Sequence, residues 1–291
     1  MSSPVSRPVS KVVSPLPVIE GAGVHLVRSI GTPDLDNLDP FLLLDNFASA
    51  VPSDYKAGFP YHPHRGIETV TFVRKGEVKH RDSLGHAGSI GPGDIQWMTS
   101  GSGILHEEMP QVRPEGISGL QLWLNLPAKE KMTRPKYRDL SADRLEQTET
   151  DDGAKIRVIA GEAAGGRLVG PVDGLSVRPK FIDVTLPQGA SFREAVEPGH
   201  TAFAYVESGE VLFGLARTRV TGPALVLFGD GGLVEASAGE RGGTFLLAAA
   251  RPLGEPIARY GPFVMNTRSE IEQTLADLRS GHFIRDEPRD D

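Results

Sequence analysis

Phe59-Pro60-Tyr61-His62-Pro63-His64-Arg65-Gly66-Ile67-Glu68-Thr69-Val70 is the stretch on which the reading of this chain turns. In an extended strand, residues i and i+2 share a face, so His62 and His64 point the same way. Pro63 lacks a ladder donor and belongs at a sheet edge or strand end, where a site can stay open. Taken alone, His-x-His is equally a chance pair on the surface. Further along, Gly91-Pro92-Gly93-Asp94 is a turn feeding the apolar run Ile95 to Met98, and Gly101-Ser102-Gly103 is another. The next segment reads Ile104-Leu105-His106-Glu107-Glu108-Met109-Pro110. As a strand it puts His106 and Glu108 on one face and Glu107 on the other. Alternation thus selects Glu108 as the partner of His106. The two same-face pairs offer three imidazoles and one carboxylate, a set suited to one divalent Fe, Mn, Co, Ni, Cu or Zn ion.

The rest of the sequence is consistent with an all-β protein. Glycine (34) and proline (23) make up roughly a fifth of the 291 residues, spread between short apolar segments. Lys75-Gly76-Glu77 can turn, so that Val78 to Arg81 pairs back on Thr69 to Val73 as a hairpin. A polar stretch, Ser141 to Gly153, reads as a linker and sets two domains, 1–140 and 141–291. Strand signals then resume at Ile156 to Ile159, Phe181 to Leu186, Ala202 to Val211, Ala224 to Phe228 and Thr244 to Ala248. The first 15 or so residues read as an irregular arm that becomes ordered only by lying against the body of the protein, and the charged tail after Ile284 is expected to fray. One helix is expected near the C-terminus. Thr267 or Ser269 caps it, Ile271, Leu275 and Leu278 form its apolar stripe, and Gly281 stops it.

Composition excludes several classes of function. Without cysteine there is no disulfide, zinc ribbon, iron–sulfur cluster or thiol nucleophile. With 31 basic and 38 acidic side chains the net charge is −7, which speaks against direct nucleic-acid binding. No apolar run is long enough for a membrane span or a signal peptide, so a cytoplasmic protein is expected.

Three blocks resemble the pirin family closely: Phe59 to Val70, Gly91 to Thr99 with Gly103 to Pro110, and Gly119-Leu120-Gln121-Leu122-Trp123. Arg259-Tyr260-Gly261-Pro262-Phe263-Val264-Met265-Asn266-Thr267 resembles the family's C-terminal signature. The resemblance runs from about residue 20 to 285. It implies a bicupin, two antiparallel β-barrels of jelly-roll type with a C-terminal helix, of which only the first keeps its metal. It carries the ligand role to His62, His64, His106 and Glu108, the four that alternation selects. The general cupin pattern places ligands where this chain has Glu68 and Gln96, so these two are at most neighbours of the ligands.

The resemblance also implies an activity. Pirins are similar to flavonol dioxygenases, and the expected reaction is the cleavage of a flavonol such as quercetin by O2, with release of carbon monoxide. Fe(II) is the expected metal, Glu108 the general base, and the molecule a monomer. The alternative, of a different class, is an iron-dependent regulatory module that docks on a transcription factor or metabolic enzyme. Other residues receive plainer roles. His80 and His86 are expected to fix a polar turn, His200 to lie in a surface turn, Arg65 to make a surface salt bridge or hold an anion, and Trp97 and Trp123 to be core.

Overall fold

The computed structural model describes residues 4–285. Beyond residue 285, the tail expected to fray lies outside the described residues. Strands dominate, and Arg268–Ser280 is the single α-helix among the described residues. No helix among them is long and apolar enough to cross a membrane.

Two compact units form, and they are not the two halves of the sequence. One comprises 16–142 with the segment from 253 onward; the other comprises 143–252 with the segment up to 15. The expected division into 1–140 and 141–291 therefore needs correction at both ends. Backbone pairing explains the first crossing. The opening segment lies ordered against the rest of its unit, but as a regular strand and not an irregular arm: Val9–Val13 pairs antiparallel with Ala224–Phe228. Arg7, buried, donates to the carbonyls of Gly229 at 3.1 Å and Glu197 at 2.9 Å.

The unit that carries the histidine cluster has two large antiparallel sheets beside the short pair Ala258–Tyr260 and Phe263–Met265. The larger runs Lys136–Leu140, Ile95–Thr99, Ile67–Lys75, Ile117–Asn125, Phe41–Ser49, Val24–Ile30, Leu16–Glu20 in spatial order. The smaller runs Phe59–His64, Ile104–Gln111, Glu77–Asp82, Ala87–Ile90. Val24, Leu26, Val73 and Ile117 from one sheet meet Val78 and Ile90 from the other in a buried cluster. The unit is thus an open jelly-roll sandwich rather than a closed barrel. The expected hairpin at Gly76 does not form. Ile67–Lys75 already has a neighbour on each side, Ile95–Thr99 and Ile117–Asn125, so Gly76 carries the chain over to the second sheet. Its alternation has a different cause: Thr71 lies opposite Gln121, and both reach towards Glu108 in the interior.

The second unit is built on a nine-stranded sheet in which Thr201–Phe213 and Leu233–Ala250 are the long central strands. Val158, Ile182, Val184, Phe192, Phe245 and Leu247 are among its buried core.

The C-terminal helix belongs to the histidine-bearing unit. Thr267 and Glu270 form a reciprocal capping box, and Gly281 ends the helix in the left-handed region at φ 78°. Its buried face is Ile271, Thr274 and Asp277, while Leu278 is 37% exposed. The expected stripe is rotated because a buried cation draws the polar residues inward. Arg65 donates to Asp277 Oδ2 at 2.7 Å, Thr274 Oγ1 at 3.2 Å, and the carbonyls of Ser102 at 2.6 Å and Phe283 at 3.2 Å. Arg65 is therefore an interior clamp and not a surface salt bridge.

Candidate metal centre

His62 and His64 come from Phe59–His64, the outer strand of the smaller sheet, where Pro63 costs no ladder bond. Antiparallel pairing sets His62 directly opposite His106 and His64 opposite Ile104. All three rings enter the sandwich, with centroids 4.4 to 5.0 Å apart. One ring nitrogen from each lies within 4.8 Å of the others. Register does the rest. Burial alternates through Ile104, His106 and Glu108, whereas Glu107 turns outward and accepts from exposed Arg81 at 2.7 Å.

Glu108 is buried and faces the same interior, but it is not part of the three-imidazole cluster. Its Oε1 accepts from Thr71 Oγ1 at 2.9 Å and its Oε2 from Gln121 Nε2 at 2.7 Å. The indole N–H of Trp123 donates to Gln121 Oε1 at 3.3 Å, which leaves the amide NH₂ aimed at the carboxylate. Glu108 thereby bridges the two sheets.

Burial favours the neutral ring at His64 and His106. The His64 and His106 rings are held well below the ordinary histidine range, first by burial and then by neighbouring imidazoles. The residues fit a metal on two further observations. His62 Nδ1 lies 3.0 Å from the Pro60 carbonyl and donates to it, which aims its Nε2 at His64 Nε2, 3.0 Å away. A proton or cation is needed between two such nitrogens. In addition, both ring nitrogens of His106 are buried without a hydrogen-bond partner, which is costly unless another group takes the lone pair.

Several contributors are not legible from spacing. His80 is buried, 5.4 Å from His106 by ring centroid, and stacks on Tyr137 at 4.5 Å. Asp82 accepts from His80 Nε2 at 3.4 Å, His86 Nδ1 at 2.9 Å and the Leu84 N–H at 2.8 Å. His80 and His86 thus both hold the turn through Asp82, as expected, and His80 in addition backs the strand of His106. Glu68 is buried against Trp97 and Thr99, away from the cluster, and burial raises its carboxyl despite those two donors. Gln96 donates to Tyr137 Oη at 3.1 Å. In the other unit His200 is buried rather than superficial, 3.3 Å from Glu197.

A cavity of about 530 Å³ opens onto His62 and His64. Trp123 lines it, edge-on to the His64 ring at 5.0 Å, and so is part of a site and not only core; Trp97 is fully buried. Gly66, just past the histidines, has φ 79°, and a Cβ there would stand 2.0 Å from the Val264 carbonyl. Only glycine lets the C-terminal signature lie this close to the site. Lys131 ties the same place together, donating to the carbonyls of Gly66 at 3.0 Å and Val264 at 2.8 Å.

Two cupin-type jelly rolls in one chain, one with a histidine cluster that fits a metal, define the class as bicupin. Residues 23–124 match the pirin family model and 181–284 the pirin C-terminal cupin domain. A pirin-like protein of Caulobacter vibrioides is 43% identical over 95% of this chain and 99% of its own length. Human pirin is 41% identical over 90% of this chain and 88% of its own. A crystal structure of quercetin 2,3-dioxygenase from Acinetobacter baumannii superposes with a TM-score of 0.86. It is 34% identical and covers 96% of this chain and 99% of that one. The chain belongs to the pirin family.

Proposed function

We propose that this protein is a metal-dependent dioxygenase that cleaves a flavonol such as quercetin with O2 and releases carbon monoxide. The observation that carries this is the convergence of three imidazoles, His106 without any partner, of which His62 and His64 line a cavity with an aromatic wall. The likeness to the Acinetobacter enzyme supports the substrate class. His62, His64 and His106 hold the metal, with Glu108 as fourth ligand; Fe(II) is the proposed ion. When bound, the metal supplies Lewis acidity towards the substrate oxygen and redox chemistry with O2.

The chain's own residues do the remainder. Trp123 offers a flat apolar wall for the flavonol, and the sheets exclude water from the site. Glu108 takes the proton of the flavonol hydroxyl, and Thr71 and Gln121 hold the carboxylate where it can do so. A positioned base contributes about 10² to 10⁴ in rate. The test is quercetin consumption and carbon monoxide release per metal bound, in the parent and in Glu108→Gln at matched metal content. The variant is expected to lose activity by that factor. No turnover by the parent with iron, nickel, copper or manganese would overturn the enzyme in favour of the regulatory module.

A further inference from the structure

Charge in the cavity is unevenly spent. Of its four charged lining residues, Glu20 and Asp45 are both turned onto Arg28. Arg28 Nε and Nη2 grip the two Asp45 oxygens at 2.7 and 2.8 Å, and Nη1 donates to Glu20 at 2.8 Å. Arg259 is placed otherwise. It makes no ion pair among the described residues, and its Nη1 and Nε donate only to the carbonyls of Leu42 at 3.2 Å and Gly261 at 3.3 Å. Its Nη2 makes no hydrogen bond among the described residues. The guanidinium lies 5.2 Å from the centre of the Trp123 ring, and that ring in turn stands 5.0 Å from His64. An always-charged donor is therefore held one indole away from the imidazoles, at the mouth of the same cavity.

A planar ligand lying along Trp123 with one end at the imidazoles brings its other end to this cation. We propose that Arg259 is the specificity-determining residue of the cavity, pairing with an ionised oxygen, phenolate or carboxylate, on the part of a planar aromatic ligand remote from the three histidines. The inference rests on the cavity being the substrate site. Stacking on Trp123 and the two backbone bonds fix the guanidinium plane beforehand, so little side-chain freedom is lost on pairing.

The test compares matched ligands that differ in the distal charge. Parent and Arg259→Gln, loaded to equal metal content and kept free of oxygen, are titrated with quercetin and with its 7-O-methyl ether by flavonol absorbance. The same proteins are titrated calorimetrically with benzoate and benzamide. Arg259→Gln is expected to weaken quercetin and benzoate about ten- to a hundredfold, the worth of a charge-assisted hydrogen bond, with no comparable loss for the ether or the amide. Arg259→Lys should recover part of it. Equal weakening within each pair, or none, would overturn the inference, since a merely structural loss moves both members alike. If the parent binds neither flavonol yet benzoate alone depends on Arg259, the inference stands and the flavonol assignment falls. If the flavonols bind and weaken alike, the outcome is the reverse. Should none of the four bind, both fall.

Discussion

Glu107 and Glu108 are neighbours with identical side chains, and one residue of register gives them unrelated environments. Glu107 meets an exposed arginine; Glu108 meets Thr71 and Gln121 inside the sandwich. Period-two alternation made this legible from the sequence, together with the pairing of His62, His64 and His106. Thr71, Gln121, Trp123 and Arg259 were not legible, because each lies on a different strand from the ligand it serves and only the tertiary fold brings it there. Two expectations follow for elemental analysis of purified protein. His62→Ala, His64→Ala and His106→Ala should each lose the metal, and Glu107→Ala should retain it. Gln121→Leu, which frees one carboxylate oxygen and the Trp123 indole, should weaken metal binding about 10- to 100-fold in competition with a chelator. Parental affinity in Gln121→Leu would mean that Glu108 does not need its support.

The helix Arg268–Ser280 shows where element-level reading succeeds and stops. Its ends were legible because caps are local: Thr267 with Glu270 at the start, Gly281 at the stop. Its buried face was not, since Arg65, 212 positions away from Asp277, decides it. Asp277 carries a measurable signature of that contact. Burial alone would raise its carboxyl, but hydrogen bonds from Gln273, Arg65 and Arg285 outweigh it and bring the pKa down to about 2, from an ordinary 3.8. A depressed carboxyl stabilises the fold above its unfolded pKa and loses that contribution as pH falls towards the folded one. Asp277→Asn should therefore be less stable than the parent in urea at pH 6, with the gap closing between pH 4 and 2. A gap independent of pH would deny the ion pair its role. Arg65→Met, which leaves Asp277 buried without its main partner, should cost about 3–5 kcal/mol.

At the scale of the molecule, the class of fold was legible from glycine and proline spacing and from the motif blocks. Barrel closure and unit boundaries were not, because both depend on which strand edges the chain leaves open. Val9–Val13 covers the edge of Ala224–Phe228, and the buried Arg7 donates to two carbonyls nearby. A chain beginning at Ser14 should thus melt several degrees lower, on the order of 2–4 °C per kcal/mol lost. Calorimetry would show it, and an unchanged transition would make the opening strand dispensable.

The crossing of the closing segment into the histidine-bearing unit has a consequence in time. Protein synthesis is vectorial, and a chain grows at about 5–20 residues per second. His62, His64 and Arg65 leave the ribosome long before the helix that anchors Arg65; the 212 positions to Asp277 take roughly 10 to 40 s to add at those rates. Once the strand of His106 has followed, the imidazoles can meet, but the floor beneath them, with Gly66 against Val264 and Arg65 against Asp277, does not yet exist. Completion of the histidine-bearing unit therefore waits until the segment around Asp277 has been made, and an ion taken up earlier would enter a site still open on the side that this segment covers.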